Sequence, residues 1–240
     1  MTTTLEETGV TPANLAPTAI LDHGHPAVRR VAHDAGTGVL AEGEFVRAAH
    51  RALAGAVRPV YTLADRVPAS VVLARGRGSC SQRMACLEAV ARAGGVGTRV
   101  RGLWVDGRFW YPRFRLARRF IPRRILLAWP QFHIDGAWTD FDELYAPMAE
   151  QLRANGTGSF TNDGETLFEA VAHTPVDFLG KTRSCGPVCD VAPAADLSRF
   201  VLGEAGLFDS RDELFARHGS LLNTVRGRAF EAVFGGRKSA

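Results

Sequence analysis

The chain has 240 residues, 46% of them hydrophobic and 22% charged, a balance that excludes wholesale disorder and supports a sizeable core without covalent staples. No apolar run approaches the roughly 20 residues that span a bilayer, and the start MTTTLEETGVTP lacks the basic and apolar stretches of a signal peptide, so a soluble, cytoplasmic protein without membrane partners is expected. The net charge of +4 comes from 29 basic residues of which only Lys181 and Lys238 are lysines, and it is too mild to argue for nucleic acid.

In chain order, residues 1–19 are polar and Thr-rich and read as a loose tail. From Pro26 the pattern is helical, with Val28, Val31 and Ala32 at i, i+3, i+4, until Gly36 and Gly38 interrupt it. A second helix is predicted over 42–57, with Phe45, Val46, Ala49, Leu53 and Val57 on one face. Residues 58–67 read as a connection flanked by Pro59 and Pro68. Gly76-Arg77-Gly78-Ser79 is a turn, and Cys80–Ala93 is a strong helix ended by Gly94-Gly95.

The period then changes to two. Thr98–Val105 reads as a strand, and Asp106-Gly107 as a hairpin turn with a return strand over 108–114. Leu126–Ile134 and Ala137–Phe141 read as two further strands joined by Asp135-Gly136. Residues 153–164 are a surface loop, and helices are predicted near 165–172, 194–205 and 210–232, the last opened by Ser210 and Glu213 at capping-box spacing. Helices first and antiparallel strands after make an α+β fold, helices packed on an antiparallel sheet with a helical C-terminal extension. The expected division is a tail over 1–19, a core over 20–150, and a loop with a helical extension over 151–240.

Four cysteines, at 80, 86, 185 and 189, are too few for a disulfide framework in a chain of this size. Cys80 differs from the others because it follows a Gly-rich turn and opens a helix. Free backbone N–H groups and the positive end of the helix dipole stabilise a thiolate there, and the same amides can hold an oxyanion. Cys86 lies inside the helix and reads as a small buried hydrophobe. The spacing Cys185-x-x-x-Cys189 supplies two thiols, short of the four ligands of a structural zinc site, and His23-Gly-His25 is a loose pair. No metal or cofactor is expected.

The run ASVVLARGRGSCSQRMACLEAVARAGGVGTRVRG (69–102) resembles the core of the transglutaminase-like superfamily, whose pattern looks like a-s-x-x-L-x-x-G-x-G-x-C followed by a helix ending A-L-x-R-A-x-G-I-P-A-R and a strand. Ala69, Ser70, Leu73, Gly76, Gly78, Cys80, Ala91, Arg92, Ala93, Gly95, Val96 and Arg99 fit it, and Val96-Gly97-Thr98 replaces I-P-A. The resemblance implies a papain-like fold and a Cys-His-Asp triad in that chain order. The second half of the family's site resembles H-A-W-V-E-V-Y-L-D-G-K-W-V-P-L-D, and residues 127–142 align to it without a gap. Ala128, Trp129, Asp135, Gly136, Trp138 and Asp142 match. Asp142 therefore corresponds to the triad aspartate, while Leu127 occupies the histidine position.

A two-residue turn at 135–136 places Ile134 opposite Ala137, His133 opposite Trp138 and Trp129 opposite Asp142. His133 is then six residues from Leu127, roughly 20 Å along a strand, and replaces the missing base only if the register differs. Leucine accepts no proton, and the general-base contribution it forfeits is typically about 10²–10⁴-fold.

Three readings stay open: a degenerate binding or scaffold protein that holds a peptide or amine without chemistry, a histidine delivered from elsewhere (His23, His25 or His173), or different chemistry with Cys80 still nucleophilic. What the resemblance implies for an active chain is Cys80-dependent acyl transfer to an amine, or hydrolysis of an amide or thioester, on a peptide, amide or acyl-thioester substrate. Cys80, Asp142 and His133 are its candidate catalytic residues. Trp129, Arg113 and Arg115 are candidate substrate contacts, the arginines from the dense cluster 113–124, which is read as a flap bordering the cleft.

Overall fold

The helix that carries Cys80 is buried along nearly its whole length, and the rest of the fold is arranged around it. The computed structural model describes residues 9–114, 118–148, 166–172 and 197–237. Helices α1 (Pro12–Leu15), α2 (Pro26–Asp34), α3 (Glu42–Ala56) and α4 (Ala69–Arg75) precede α5 (Cys80–Ala93). Two short strands, β1 (Arg58–Pro59) and β2 (Arg77–Gly78), pair in parallel and bring the entry to α5 beside the end of α3. Strands β3 (Thr98–Asp106), β4 (Arg124–Ile134), β5 (Ala137–Asp140) and β6 (Val201–Phe208) form an antiparallel sheet in the order β5-β4-β3-β6. Helices α6 (Leu167–Ala170), α7 (Arg211–His218) and α8 (Val225–Phe234) complete the described elements. The fold is α+β. Among the described residues, no helix is long and apolar enough to cross a membrane.

α5 packs against α2, α3 and α4 on one side and against β4 on the other. Its apolar residues Met84, Leu87, Val90 and Ala91 are buried, as expected, but so are Arg83, Glu88 and Arg92. Each buried charge is matched by groups remote in sequence, because an unpaired ion in an apolar interior is costly. Arg83 pairs with Glu169 and lies over the Phe168 ring, its guanidinium carbon 4.3 Å from the centroid. Glu88 accepts from Arg211 Nε at 2.6 Å. Arg92 donates to the carbonyls of Ala13, Ala16, Thr98 and Asp209.

The hairpin at 135–136 has the expected register, Ile134 opposite Ala137 and His133 opposite Trp138. Asp135 (φ 51°) and Gly136 (φ 83°) both take the left-handed conformations of a type I′ turn. Three expectations are corrected. Asp106-Gly107 is not a hairpin turn, and 107–110 form a 3₁₀ turn instead of a return strand. The Asp106 carboxylate accepts from the Arg108 backbone N–H at 2.8 Å and caps that turn. A Cβ on Gly107 would collide with the Pro122 carbonyl, so the glycine serves a close backbone approach, and the partner of β3 is β4, paired from Thr98 with Phe132 to Asp106 with Arg124.

The helix expected over 194–205 is instead a 3₁₀ turn over Leu197–Phe200 running into β6, which adds to the free edge of β3. Gly203 (φ 154°) and Gly206 (φ 115°) in β6 take conformations no helix accommodates, and the ladder is irregular beside them. Part of the tail expected over 1–19 is tied to the core: Asn14 Nδ2 donates to Asp209 at 2.9 Å, and Thr18 Oγ1 donates to Asp212 at 2.5 Å. The expected loop over 153–164 lies outside the described residues.

Candidate functional site

Cys80 is the first residue of α5. Ser79 caps the helix, its hydroxyl accepting from the Gln82 N–H at 3.2 Å, while Gln82 Oε1 accepts from the Ser79 N–H at 3.1 Å. This local box turns the chain at the glycine-rich approach and presents Cys80 to a cavity of about 130 Å³. The cavity is walled by aromatic and aliphatic side chains, including Tyr61, Trp110, Phe114, Leu126, Leu127 and Phe230, and its polar lining includes Thr62, Asp65, Ser79, Ser81, Arg113 and Thr166.

The predicted site residues separate. Cys80, Leu127 and Arg113 line the cavity together. His133 does not. It is half-buried in β4, its ring edge-on to Trp138 with centroids 5.2 Å apart, near the turn at 135–136. Asp142 is half-buried in the 3₁₀ segment Phe141–Met148, which begins where β5 ends. Its carboxylate accepts from Trp129 Nε1 at 3.3 Å, but the β4–β5 ladder ends at Gln131 opposite Asp140, so the two are not the cross-strand pair the register was expected to make; neither residue lines the cavity. Trp129 is fully buried against Phe141, which makes it a core residue that orients Asp142 rather than a ligand contact. Arg115, His173, Cys185 and Cys189 lie outside the described residues, as do Lys181 and Lys238. His23 and His25 stand before α2 and are not cavity residues. Among the described residues, no histidine lines the cavity.

The thiol's environment also differs from expectation. Burial, and then the negative charge of Glu169, push Cys80 up to about 11. Arg83, Arg113 and a backbone hydrogen bond from Phe168 oppose this only in part. The helix terminus was expected to stabilise a thiolate, but desolvation in an apolar cavity outweighs it. Cys86 is fully buried, its Sγ 3.7 Å from the Ala69 carbonyl, and burial lifts it to about 12.

Sequence reasoning missed Asp65. It lies in the connection before α4, lines the cavity and is 8% exposed. Burial raises its carboxyl to about 6, with the Ser81 hydrogen bond and then Arg211 acting in the other direction. Sequence carries no signal for this, because nothing local marks an aspartate in a loop as buried. His50 was also unassigned. It is buried, with Nδ1 2.9 Å from the Tyr145 hydroxyl and Nε2 2.5 Å from the Phe168 carbonyl, and it holds α6 against α3. Among the described residues, no group of three or more His, Cys, Asp or Glu side chains is placed to hold a metal ion.

No family model, curated protein or solved structure matches this chain.

Proposed function

We propose that this chain is a transglutaminase-like protein with a papain-like core whose Cys80 cavity binds a peptide, amide or acyl-thioester ligand without rapid turnover. The observation that carries this reading is the shared lining of one cavity by Cys80 and Leu127, with no histidine among its described lining residues. A thiol near 11 is ionised at neutral pH to only about one part in ten thousand. The position that aligns with the family's base holds a side chain that accepts no proton, so on this reading the scaffold keeps a shaped pocket whose described lining residues include no imidazole to activate the nucleophile. Leu221 and Phe230, from the segment after β6, line part of the same cavity.

Acyl transfer is the second reading. It is favoured by the position of Cys80 as the first residue of α5, where helix-terminal N–H groups can hold an oxyanion, and by the positive charge of Arg113.

The experiment is the pH profile of Cys80 alkylation, together with hydrolysis of a small aryl thioester, in wild type, Leu127→His and Cys80→Ser. The binding reading expects slow wild-type alkylation and no thioester turnover. It also expects at least tenfold faster alkylation at pH 7 in folded Leu127→His. An unchanged profile in that variant overturns the alignment of position 127 with the base. Wild-type turnover that disappears in Cys80→Ser establishes acyl transfer instead.

A further inference from the structure

Three segments that contribute to the wall of the Cys80 cavity are far more basic than the chain as a whole. Residues 58–78, 107–124 and 221–237 hold fourteen arginines and two carboxylates, whereas the whole chain is only +4, so the rest of the protein is net negative. Of the two carboxylates, Asp65 is buried, and Glu231 accepts from the Thr62 hydroxyl at 2.6 Å and the Leu63 N–H at 2.7 Å. Arg58, Arg77, Arg118, Arg119 and Arg237 are exposed, and among the described residues no carboxylate forms an ion pair with any of them.

The fold brings these charges to the border of the cavity. β1 and β2 pair with Arg58 opposite Arg77, two like charges whose repulsion opposes the pairing. Three residues after Arg58, Tyr61 lines the cavity and is tied to Arg237: its carbonyl accepts from the Gly236 N–H at 2.8 Å, and its N–H donates to the Arg237 carbonyl at 2.9 Å. The Arg237 guanidinium lies over the Phe234 ring, 5.9 Å from the centroid, and Phe234 packs on Phe114 of the cavity wall and on Phe120. Arg119 lies over Phe120 at 5.0 Å and Arg118 over Tyr111 at 5.6 Å, while the neighbouring Ile121 lines the cavity again. A guanidinium held against a ring has fewer rotamers to lose when its N–H edge takes a carboxylate in a bidentate pair.

We propose that this arginine-rich surface binds an acidic stretch of polypeptide, so that the ligand of the cavity is a peptide carrying Asp or Glu residues beside the segment that reaches Cys80. This assignment rests on reading the cavity as a peptide site, and it names the class of peptide. A polypeptide fits better than a nucleic acid. Single strands are held by bases stacked on open aromatic faces, whereas Tyr111, Phe120 and Phe234 carry guanidinium groups and pack into one apolar cluster.

The test is fluorescence anisotropy of labelled decapeptides of glutamate, glutamine and lysine titrated with the full chain at neutral pH. The glutamate peptide is expected to bind at least tenfold more tightly than the other two. Arg118→Ser combined with Arg237→Ser should weaken it at least fivefold. Arg29→Ser combined with Arg30→Ser, an equal loss of charge from the exposed side of α2, should change it less than twofold. In wild type the affinity should fall at least tenfold between about 50 and 200 mM salt, which tests the ion pairing even if the first double variant does not fold. Bound glutamate peptide should also slow Cys80 alkylation at least threefold. Equal binding of the glutamine peptide, equal losses in the two double variants, a flat salt profile or an unchanged alkylation rate each overturns the proposal. Tighter binding of a ten-nucleotide oligothymidylate overturns it in favour of nucleic acid. The two readings fail separately: a Leu127→His shift at Cys80 without a preference for the acidic peptide keeps the cavity and rejects the acidic ligand, whereas that preference without the shift rejects only the base alignment.

Discussion

Leu127 of β4 and Cys80 of α5 line the same cavity, the leucine opposite Leu103 in the β3–β4 ladder and the cysteine in the first turn of its helix. Neither residue brings the other a proton-transfer partner. The thiol is left to its desolvation and to the charges of Glu169, Arg83 and Arg113, and the balance favours the neutral form.

Cys80 should therefore be slow but accessible. It is partly exposed to the cavity, whereas Cys86 is fully buried. Iodoacetamide labelling followed by peptide mass mapping should find Cys80 modified at least tenfold faster than Cys86. Its rate should climb steadily from pH 7 to 10, because its ionisation lies near 11. A plateau reached below pH 8 would show a stabilised thiolate and contradict the burial argument.

Asp65 sets a pH dependence of stability with a definite sign. Its carboxyl is raised from 3.8 to about 6 in the folded state, so the folded protein holds a proton that the unfolded chain has released. Stability is then greatest below about pH 4, falls as the pH rises to about 6, and stays reduced above that. At about 1.4 kcal/mol per unit the loss is roughly 3 kcal/mol. Urea unfolding of wild type and Asp65→Asn at pH 4, 5, 6 and 7 isolates this contribution, and the difference between the two should grow across that window in favour of the variant. A constant difference would mean that the carboxyl ionises normally.

The Glu88–Arg211 pair joins residues 123 apart in sequence, with both side chains fully buried. Arg211→Ala leaves an uncompensated carboxylate in the core and should cost about 3–5 kcal/mol. Arg211→Met combined with Glu88→Gln removes both charges and should recover most of that loss. Denaturant midpoints of the single and double variants measure it, and a single variant within about 1 kcal/mol of wild type would show that the pair is not buried in solution.

The carboxylate of Glu231 fastens α8 to 62–63, and Phe230 of the same helix lines the cavity. Glu231→Ala should loosen that cover and raise the Cys80 alkylation rate several-fold, while the helical signal in circular dichroism stays close to wild type. An unaltered rate would show that α8 does not limit access to the thiol.

Much of the site's framework was legible because its signals are local. The turn Gly76–Ser79 opens α5 and Gly94 ends it, as read from the residues, and the Ser79–Gln82 cap that the structure adds is equally local. Asp135-Gly136 closes a two-residue hairpin, from which the opposition of His133 to Trp138 follows by strand parity, whereas Trp129 meets Asp142 beyond the end of the ladder, through a side-chain hydrogen bond to the 3₁₀ segment. Leu127 lines the cavity with Cys80, while Asp142, expected beside it, does not.

Other features were decided only by contacts between distant segments. Asp106-Gly107 has the letters of a hairpin turn, yet the Pro122 carbonyl and the cap on the Arg108 N–H turn it into a 3₁₀ segment. Residues 201–208 become a strand because β3 offers them an unpaired edge. The charges of α5 are buried because Glu169, Arg211 and the Asp209 carbonyl reach them from distant parts of the chain. The elevated thiol and the buried Asp65 belong to the same group. Capping and turn chemistry act through a few bonds of backbone and are written in neighbouring residues. Desolvation depends on what fills the surrounding space, which only the assembled tertiary structure decides.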